Sequence, residues 1–348
     1  MRFLINARNR CIGVESGVIV EAAGRFDVVI DAPGADVRPG LINAHEHLHR
    51  NHYGRLGRPP YRNASEWAAD IQHQYRRRIA RRHRRPRREA LLAGAWKNLF
   101  AGVTTVVHHD RWEPDFDGGF PVRVARVANA DCAEGTDRLD CSAPYCVHVA
   151  EGTDDKAAGD IEQLESRGLL TDNLIAVHGV GFDERSIERF REARAALAWC
   201  PSSNLFMLGR TAPNALLGSG VDVLLGSDSL LTGAGNLLDE LRFARAQGPL
   251  DDVALERSVG TTAASRLGLP APQLDPGTAA DLILVAAPIT RACANDVTLV
   301  MVGGVPRVAS PDLVPMLGGI AEQGKPMTVA SVRRWANIRE PAITKGEP

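Results

Sequence analysis

Seven short apolar runs, each ending in polar residues and followed by a stretch of helical character, limit what this chain can fold into. They are Gly40–Ala44, Val103–Val107, Val122–Val127, Tyr145–Val149, Leu174–Val177, Ala195–Cys200 and Val221–Leu225. Continuous apolar runs alternating with amphipathic helices indicate a parallel sheet buried on both faces. Asp183–Ala193 and Asn236–Ala246 read as helical connections of this kind. No glycine-rich phosphate turn follows the first run, so the pattern predicts an α/β fold of the (β/α)8 TIM-barrel type rather than a doubly wound sheet. Seven barrel strands are countable. The eighth is expected within Cys132–Ala143, unless the barrel is irregular there.

Short strands flank this region at both ends. Phe3–Ile5, Gly17–Val20 and Asp27–Ile30 precede it, and Ala280–Ala286 and Thr298–Val302 follow it. They predict one small β domain assembled from residues 1–38 and 275–310 around a barrel spanning 39–274. The tail 311–348 reads as a terminal helix or extended arm, with Ser331–Asn337 its most helical part.

Composition excludes several classes. At 348 residues, 44% hydrophobic and 24% charged, the chain is long enough for one large domain and too apolar for global disorder. Lys+Arg of 41 against Asp+Glu of 42 gives a net charge of −1, which argues against a dedicated nucleic-acid partner. The run RRRIARRHRRPRR from Arg76 to Arg88 is the local exception, and it reads as a solvated helix face whose stems cover apolar surface. Six cysteines without a CxxC pair suit reduced thiols in the cytoplasm. No signal peptide is visible, and no uncharged apolar stretch approaches the roughly 18 residues of a membrane helix, so no membrane partner is expected.

The chemistry lies in the residues that end the runs. PGLINAHEHLH places His45 and His47 two apart, so in an extended strand both imidazoles face one side, as two ligands of one metal would. YCVHVAEG brings His148 and Glu151, LIAVHGVGFD brings His178, and LLGSDS brings Asp228. Each falls at the C-terminal end of a different run, where barrel active sites are built. Buried histidine and carboxylate are costly unless paired or coordinated, so a shared metal site explains the set better than core packing. Asp110, in VVHHDRW with His108 and His109, either lines the pocket or caps the following turn. Asn204 either binds substrate or organises its loop.

These motifs together resemble the amidohydrolase superfamily, in particular its cytosine-deaminase and triazine-hydrolase-like branch. PGLINAHEH resembles the first-strand motif, HVAE the fifth-strand HxxE, CPSSNLFMLGRTAP the stretch after strand seven, GSDS the last-strand motif, and LDPGTAADLILV the return to the small β domain. The resemblance covers about residues 38 to 305. It implies a distorted (β/α)8 barrel with a small β-sandwich. It also implies metal ligands His45, His47, His148 and Asp228, a proton-shuttling Glu151, and a His178 that polarises the water or oxyanion. No lysine stands on a strand where a carboxylated side chain would bridge two metals, and Gly181 replaces a second sixth-strand histidine, so one divalent ion per chain is expected. Neutral imidazoles and a carboxylate suit Zn²⁺, with Fe²⁺ or Mn²⁺ open to the same ligands.

The expected activity is hydrolysis of a non-peptide C–N bond in a small molecule by metal-activated water. Asp228 or His178 would accept the water's proton, and Glu151 would protonate the leaving nitrogen. Deamination of a heterocycle or cyclic amidine is the leading reading. Ring opening of a lactam and an inert ligand-binding barrel are the alternatives, and a homo-oligomer is compatible with all three.

Overall fold

The computed structural model describes residues 1–136 and 139–338. Alternating apolar and polar residues near the start give five strands where three runs are evident in the sequence. β1 (Arg2–Ala7), β2 (Cys11–Glu15), β3 (Val18–Val20) and β4 (Val28–Ala32) form a sheet in the order β3-β2-β1-β4, and β5 (Asp36–Pro39) joins a different sheet. β2 and β5 are the unexpected two, and β2 lies against β1, a pairing outside its own sequence.

Eight parallel strands follow. They are β6 (Leu41–Glu46), β7 (Val103–His108), β8 (Arg123–Ala125), β9 (Ala128–Ala130), β10 (Tyr145–Val149), β11 (Leu174–His178), β12 (Ala196–Trp199) and β13 (Val223–Leu225). They form two arcs, β6-β7-β8 and β13-β12-β11-β10-β9. Two features join the arcs. A parallel bridge links Glu46 to Asp228. Only Arg126 and Val127 separate β8 from β9, so residues 123–130 form one run that pairs first with β7 and then with β10. A tilted strand can serve one neighbour over its first residues and the other over its last.

The run predicted at Val122–Val127 thus appears as two short strands of one run, and the described residues of Cys132–Ala143 supply no further strand, which leaves the irregular alternative. Among its described residues that segment holds only a 3₁₀ turn at Ala133–Gly135.

Period two divides these strands into two faces. Ile42, Ala44, Val107, Cys146, Ile175, Val177, Ala196, Ala198 and Leu224 form one inner cluster, while Leu174, Ala176, Leu197, Trp199, Val223 and Leu225 pack outward with the helices. Helices Glu184–Glu192 and Leu237–Gln247 stand where the sequence predicts them. Residues 64–99 supply three more, Ala64–Gln74, Arg76–His83 and Arg87–Leu99, and no residue of the arginine-rich Arg76–His83 is buried.

The C-terminal strands β14 (Leu282–Val285), β15 (Val297–Val302), β16 (Val305–Ala309), β17 (Gly324–Val329) and β18 (Val332–Asn337) form an antiparallel sheet with β5, in the order β17-β18-β16-β15-β14-β5. Leu282 and Leu284 face the apolar cluster shared with β1–β4, and Ile283 and Val285 face the cluster around the parallel strands. The helical character expected for Ser331–Asn337 is not realised: Val332–Asn337 is a strand. Ala330 and Ser331, at φ 47° and 70°, make a two-residue turn between β17 and β18, and such left-handed pairs suit the twist of a hairpin. Residues 339–348 of the tail lie outside the described residues. Among the described residues no helix is long and apolar enough to cross a membrane.

Candidate metal centre

His45 reaches the interior through a bulge. Asn43 pairs with Val106 and Glu46 with His108, so Ala44 and His45 together oppose Val107. An extra residue re-aims the side chains after it. Ala44 and His45 then both point inward, Glu46 outward and His47 inward. Across the arc junction, Gly226 permits close approach, because a Cβ there would meet the His45 Cβ at 2.5 Å.

The predicted residues converge. His45 Nε2 lies 3.3 Å from His148 Nε2 and 4.0 Å from Asp228 Oδ1. His47 Nε2 lies 3.8 Å from the same Asp228 oxygen. The outer nitrogens fix the tautomers of two rings: His47 Nδ1 donates to Asp110 Oδ2 at 2.7 Å, and His148 Nδ1 donates to the Asp131 carbonyl at 3.0 Å. Each therefore presents a bare lone pair at Nε2. Burial, reinforced by neighbouring imidazoles, holds His45 and His148 well below the usual histidine range, so both stay neutral. With His45 in its Nδ1–H tautomer the two Nε2 atoms face each other at 3.3 Å as lone pairs, and a cation between them would satisfy both. Tetrahedral coordination at 2.0–2.1 Å places ligand atoms about 3.3 Å apart. The donor set fits a divalent ion.

Asp228 turns Oδ1 toward the imidazoles while Oδ2 accepts from Ser203 Oγ at 2.7 Å and Thr232 Oγ1 at 2.8 Å. Burial opposes its charge, but His47, His178 and these hydroxyls outweigh it and lower its pKa. Glu151 stands beside the cluster with Oε1 3.3 Å from His178 Nε2. Burial raises its pKa, only partly offset by His178. His178 Nδ1 donates to Asn204 Oδ1 at 2.8 Å, so the amide orients an imidazole. The turn that brings Glu151 inward is made by Ala150, at φ 52°. Asp160 Oδ2 accepts from Ala150 N at 2.7 Å and pins that turn. Gly181 has a steric reason to lack a side chain, since its Cβ would lie 2.8 Å from the Gly152 carbonyl.

Of the supporting residues, Asp110 was an open candidate in the sequence, whereas Lys97 was not singled out. Asp110 lies against His47 and also meets Arg50 at 3.3 Å and His49 at 3.5 Å. Burial would raise its pKa, yet the His47 hydrogen bond and these neighbours hold it well below the carboxylate range. Outside the ring of imidazoles, Lys97 Nζ pairs with Glu46 Oε2 at 2.6 Å, and Asn98, Asn51 and Ser227 complete that carboxylate's hydrogen bonds. The pair ties β6 to the residues after β13, because Lys97 also reaches Ser227 Oγ at 3.0 Å. His109 is fully buried, its ring stacked on His148 at 4.1 Å and 4.9 Å from His45. The doublet HHD after β7 was the available signal for Asp110 and His109; nothing local marks Lys97.

Residues 138–307 match the model of the amidohydrolase family. A 5-methylthioadenosine/S-adenosylhomocysteine deaminase of Natronomonas pharaonis is 30% identical over 163 residues, covering 42% of this chain and 38% of that protein. The chain thus spans well under half the length of the curated relatives it matches. Among solved structures, a zinc-bound adenosine deaminase from Xanthomonas campestris superimposes with TM-score 0.70 at 20% identity, covering 92% of this chain and 97% of that one. A triazine hydrolase from Arthrobacter aurescens gives 0.67 at 18% identity, over 88% and 94%. At such identities the likeness speaks to the fold, an α/β architecture of TIM-barrel type.

Proposed function

We propose that this chain, whose residues 138–307 match the amidohydrolase family model, is a mononuclear metal-dependent hydrolase of a non-peptide C–N bond, deaminating an amino-substituted heterocycle or cyclic amidine. The observation that carries this reading is two adjoining clusters that share His45, one with His47 and Asp228 and one with His148 and His178, with Glu151 beside His178. His45, His47, His148 and Asp228 would hold the ion. When bound, a divalent cation (Zn²⁺ by this donor set, with Fe²⁺ or Mn²⁺ suited to the same ligands) supplies Lewis acidity and a water with a pKa near about 7.

The chain's own groups then move the protons. Asp228 Oδ1, kept ionised by its neighbours, accepts the proton lost as water adds to the sp² carbon. His178, its Nδ1–H committed to Asn204, polarises the developing oxyanion. Burial raises the Glu151 pKa, which suits its carboxyl to hold a proton and deliver it to the leaving nitrogen. The C–N bond breaks, ammonia leaves and a carbonyl remains.

The same reading joins the two arcs into one distorted barrel over 39–274. The ends of the chain, 1–38 and 275–310 with the β17–β18 hairpin, become a small β-sandwich. Six free cysteines fit a cytoplasmic site of action.

The test uses purified metal-loaded protein against amidines, purines, pyrimidines and cyclic amides, following ammonia. Elemental analysis should find about one ion per chain, and two tightly held ions would contradict this site. Glu151→Gln should keep the metal and lose about 10²–10⁴-fold in turnover. Near-full activity in that variant refutes the mechanism.

A further inference from the structure

The partner switch of residues 123–130 has a consequence at the rim. Because β9 pairs with β10, the residue after β9, Asp131, emerges beside His148. Its backbone carbonyl holds His148 Nδ1 at 3.0 Å, while its exposed carboxylate lies within 4.8 Å of a ring nitrogen of both His148 and His109. His109 donates its Nε2–H to the Ala130 carbonyl at 3.0 Å, which leaves Nδ1 as a bare acceptor. That Nδ1 is buried and has no hydrogen-bond partner among the described residues. A buried acceptor without a donor is costly, and it marks a place where a donor belongs.

The surroundings show from which side a donor arrives. Elsewhere the rim is strapped by the chain after β6: Leu56 N bonds Leu231 O at 3.0 Å, Tyr61 N bonds Met207 O at 2.8 Å, and Ala64 N bonds Glu151 O at 3.1 Å. Among the described residues the Asp131 side carries no such strap bond.

We infer that Asp131 and His109 form a two-acceptor clamp that binds the N–H edge of the substrate, and that they select an amidine-type unit over the isosteric lactam. The inference rests on the proposed hydrolase reading and names the substrate class of the same site. An amidinium presents two parallel N–H donors beside its sp² carbon, one for the Asp131 carboxylate and one for His109 Nδ1. A lactam presents one N–H and one C=O, and its carbonyl would face an acceptor. A site built to pair hydrogen-bonding groups rejects the analogue that reverses one of them, since a buried group is left unpaired.

The probes are 2-iminopiperidine and δ-valerolactam, titrated calorimetrically into zinc-loaded protein carrying Glu151→Gln so that neither is consumed. The amidine should bind at least about tenfold more tightly than the lactam. Adding Asp131→Asn, at an exposed position where folding is safe, should weaken the amidine by about tenfold and leave the lactam and the zinc content unchanged. Equal affinity for the two probes, absence of amidine binding, or an unaltered Asp131→Asn double variant overturns the inference. Loss of zinc on Asp131→Asn overturns it as well, by making Asp131 part of the metal site. Selectivity without any loss of turnover in Glu151→Gln would instead refute the hydrolytic mechanism and leave the clamp standing.

Discussion

Asp110 offers the sharpest test of how the centre is held. Its Oδ2 accepts the His47 Nδ1–H at 2.7 Å, which fixes the tautomer and aims the Nε2 lone pair toward Asp228 and the other imidazoles. Outer carboxylates of this kind raise ligand basicity, and losing one typically weakens metal affinity about 10–100-fold. Two substitutions divide that range. Asp110→Asn keeps an acceptor oxygen but removes the charge, and a charge-assisted hydrogen bond is about twice as strong as a neutral one. The expected loss is about 1.4 kcal/mol, or about tenfold in zinc affinity. Asp110→Ala removes the acceptor and frees the ring to rotate, and should approach about 100-fold. Competition of the metal-free protein with a chromophoric zinc chelator at pH 7.5 reads both. Asn204→Ala is the internal control, because Asn204 supports His178, which the proposed ligand set excludes. If both Asp110 variants bind zinc within about twofold of the parent, or if Asn204→Ala loses more than they do, the ligand assignment is wrong.

Two further outcomes concern stability. Glu240 is buried against Ser202, whose N–H it accepts at 2.9 Å, and burial pushes its pKa up to about 8. The folded state therefore retains a proton that the unfolded chain releases near pH 4.5, and stability falls as pH rises toward 8. Chemical denaturation between pH 6.5 and 8 should show a downward slope approaching about 1.4 kcal/mol per pH unit that Glu240→Gln flattens; an unchanged slope places the proton elsewhere. Lys97→Met strands the buried Glu46 carboxylate and should cost about 3–5 kcal/mol in urea unfolding, much of it recovered when Glu46→Gln is added. A double variant as unstable as the single one would show that the pair itself, and not the orphaned charge, carries the effect.

Much of the geometry of the candidate site was legible because parallel strands present side chains together at their ends. His45, His47, His148, Glu151, His178 and Asp228 each stand at or just after a strand, and the structure brings all six together. What was not legible depends on contacts between distant segments. The β8–β9 run changes partner because β7 and β10 lie on either side of it, and no residue within 123–130 announces this. The β17–β18 hairpin rests on left-handed Ala330 and Ser331, where no glycine or asparagine signals the turn. Lys97 reads as an ordinary helix residue until Glu46, 51 positions earlier, is seen against it at 2.6 Å.

The parity of the strands explains where the backbone is irregular. A regular strand can send only alternate residues inward. Ile42 and Ala44 face the interior, so His45 would face outward; the bulge opposite Val107 turns it back. Cys146 faces the interior, which puts His148 in phase and Glu151 out of phase; left-handed Ala150 corrects Glu151. Ile175 and Val177 face the interior, so His178 is out of phase too, and it adopts φ 79° itself. Left-handed backbone costs a non-glycine residue about 1–3 kcal/mol. Each instance is held by specific bonds: Asp160 on Ala150 N at 2.7 Å, Val149 O on Gly179 N at 3.0 Å after His178, and His45 O on Asp228 N at 3.0 Å, where Asp228 has φ 49°. A purely structural set of buried histidines would sit in phase without such strain. At His45, Glu151 and His178 the bulge or the left-handed residue turns an out-of-phase side chain into the candidate site, and in-phase Asp228 is left-handed as well, an arrangement that the proposed chemistry accounts for and regular strand packing does not.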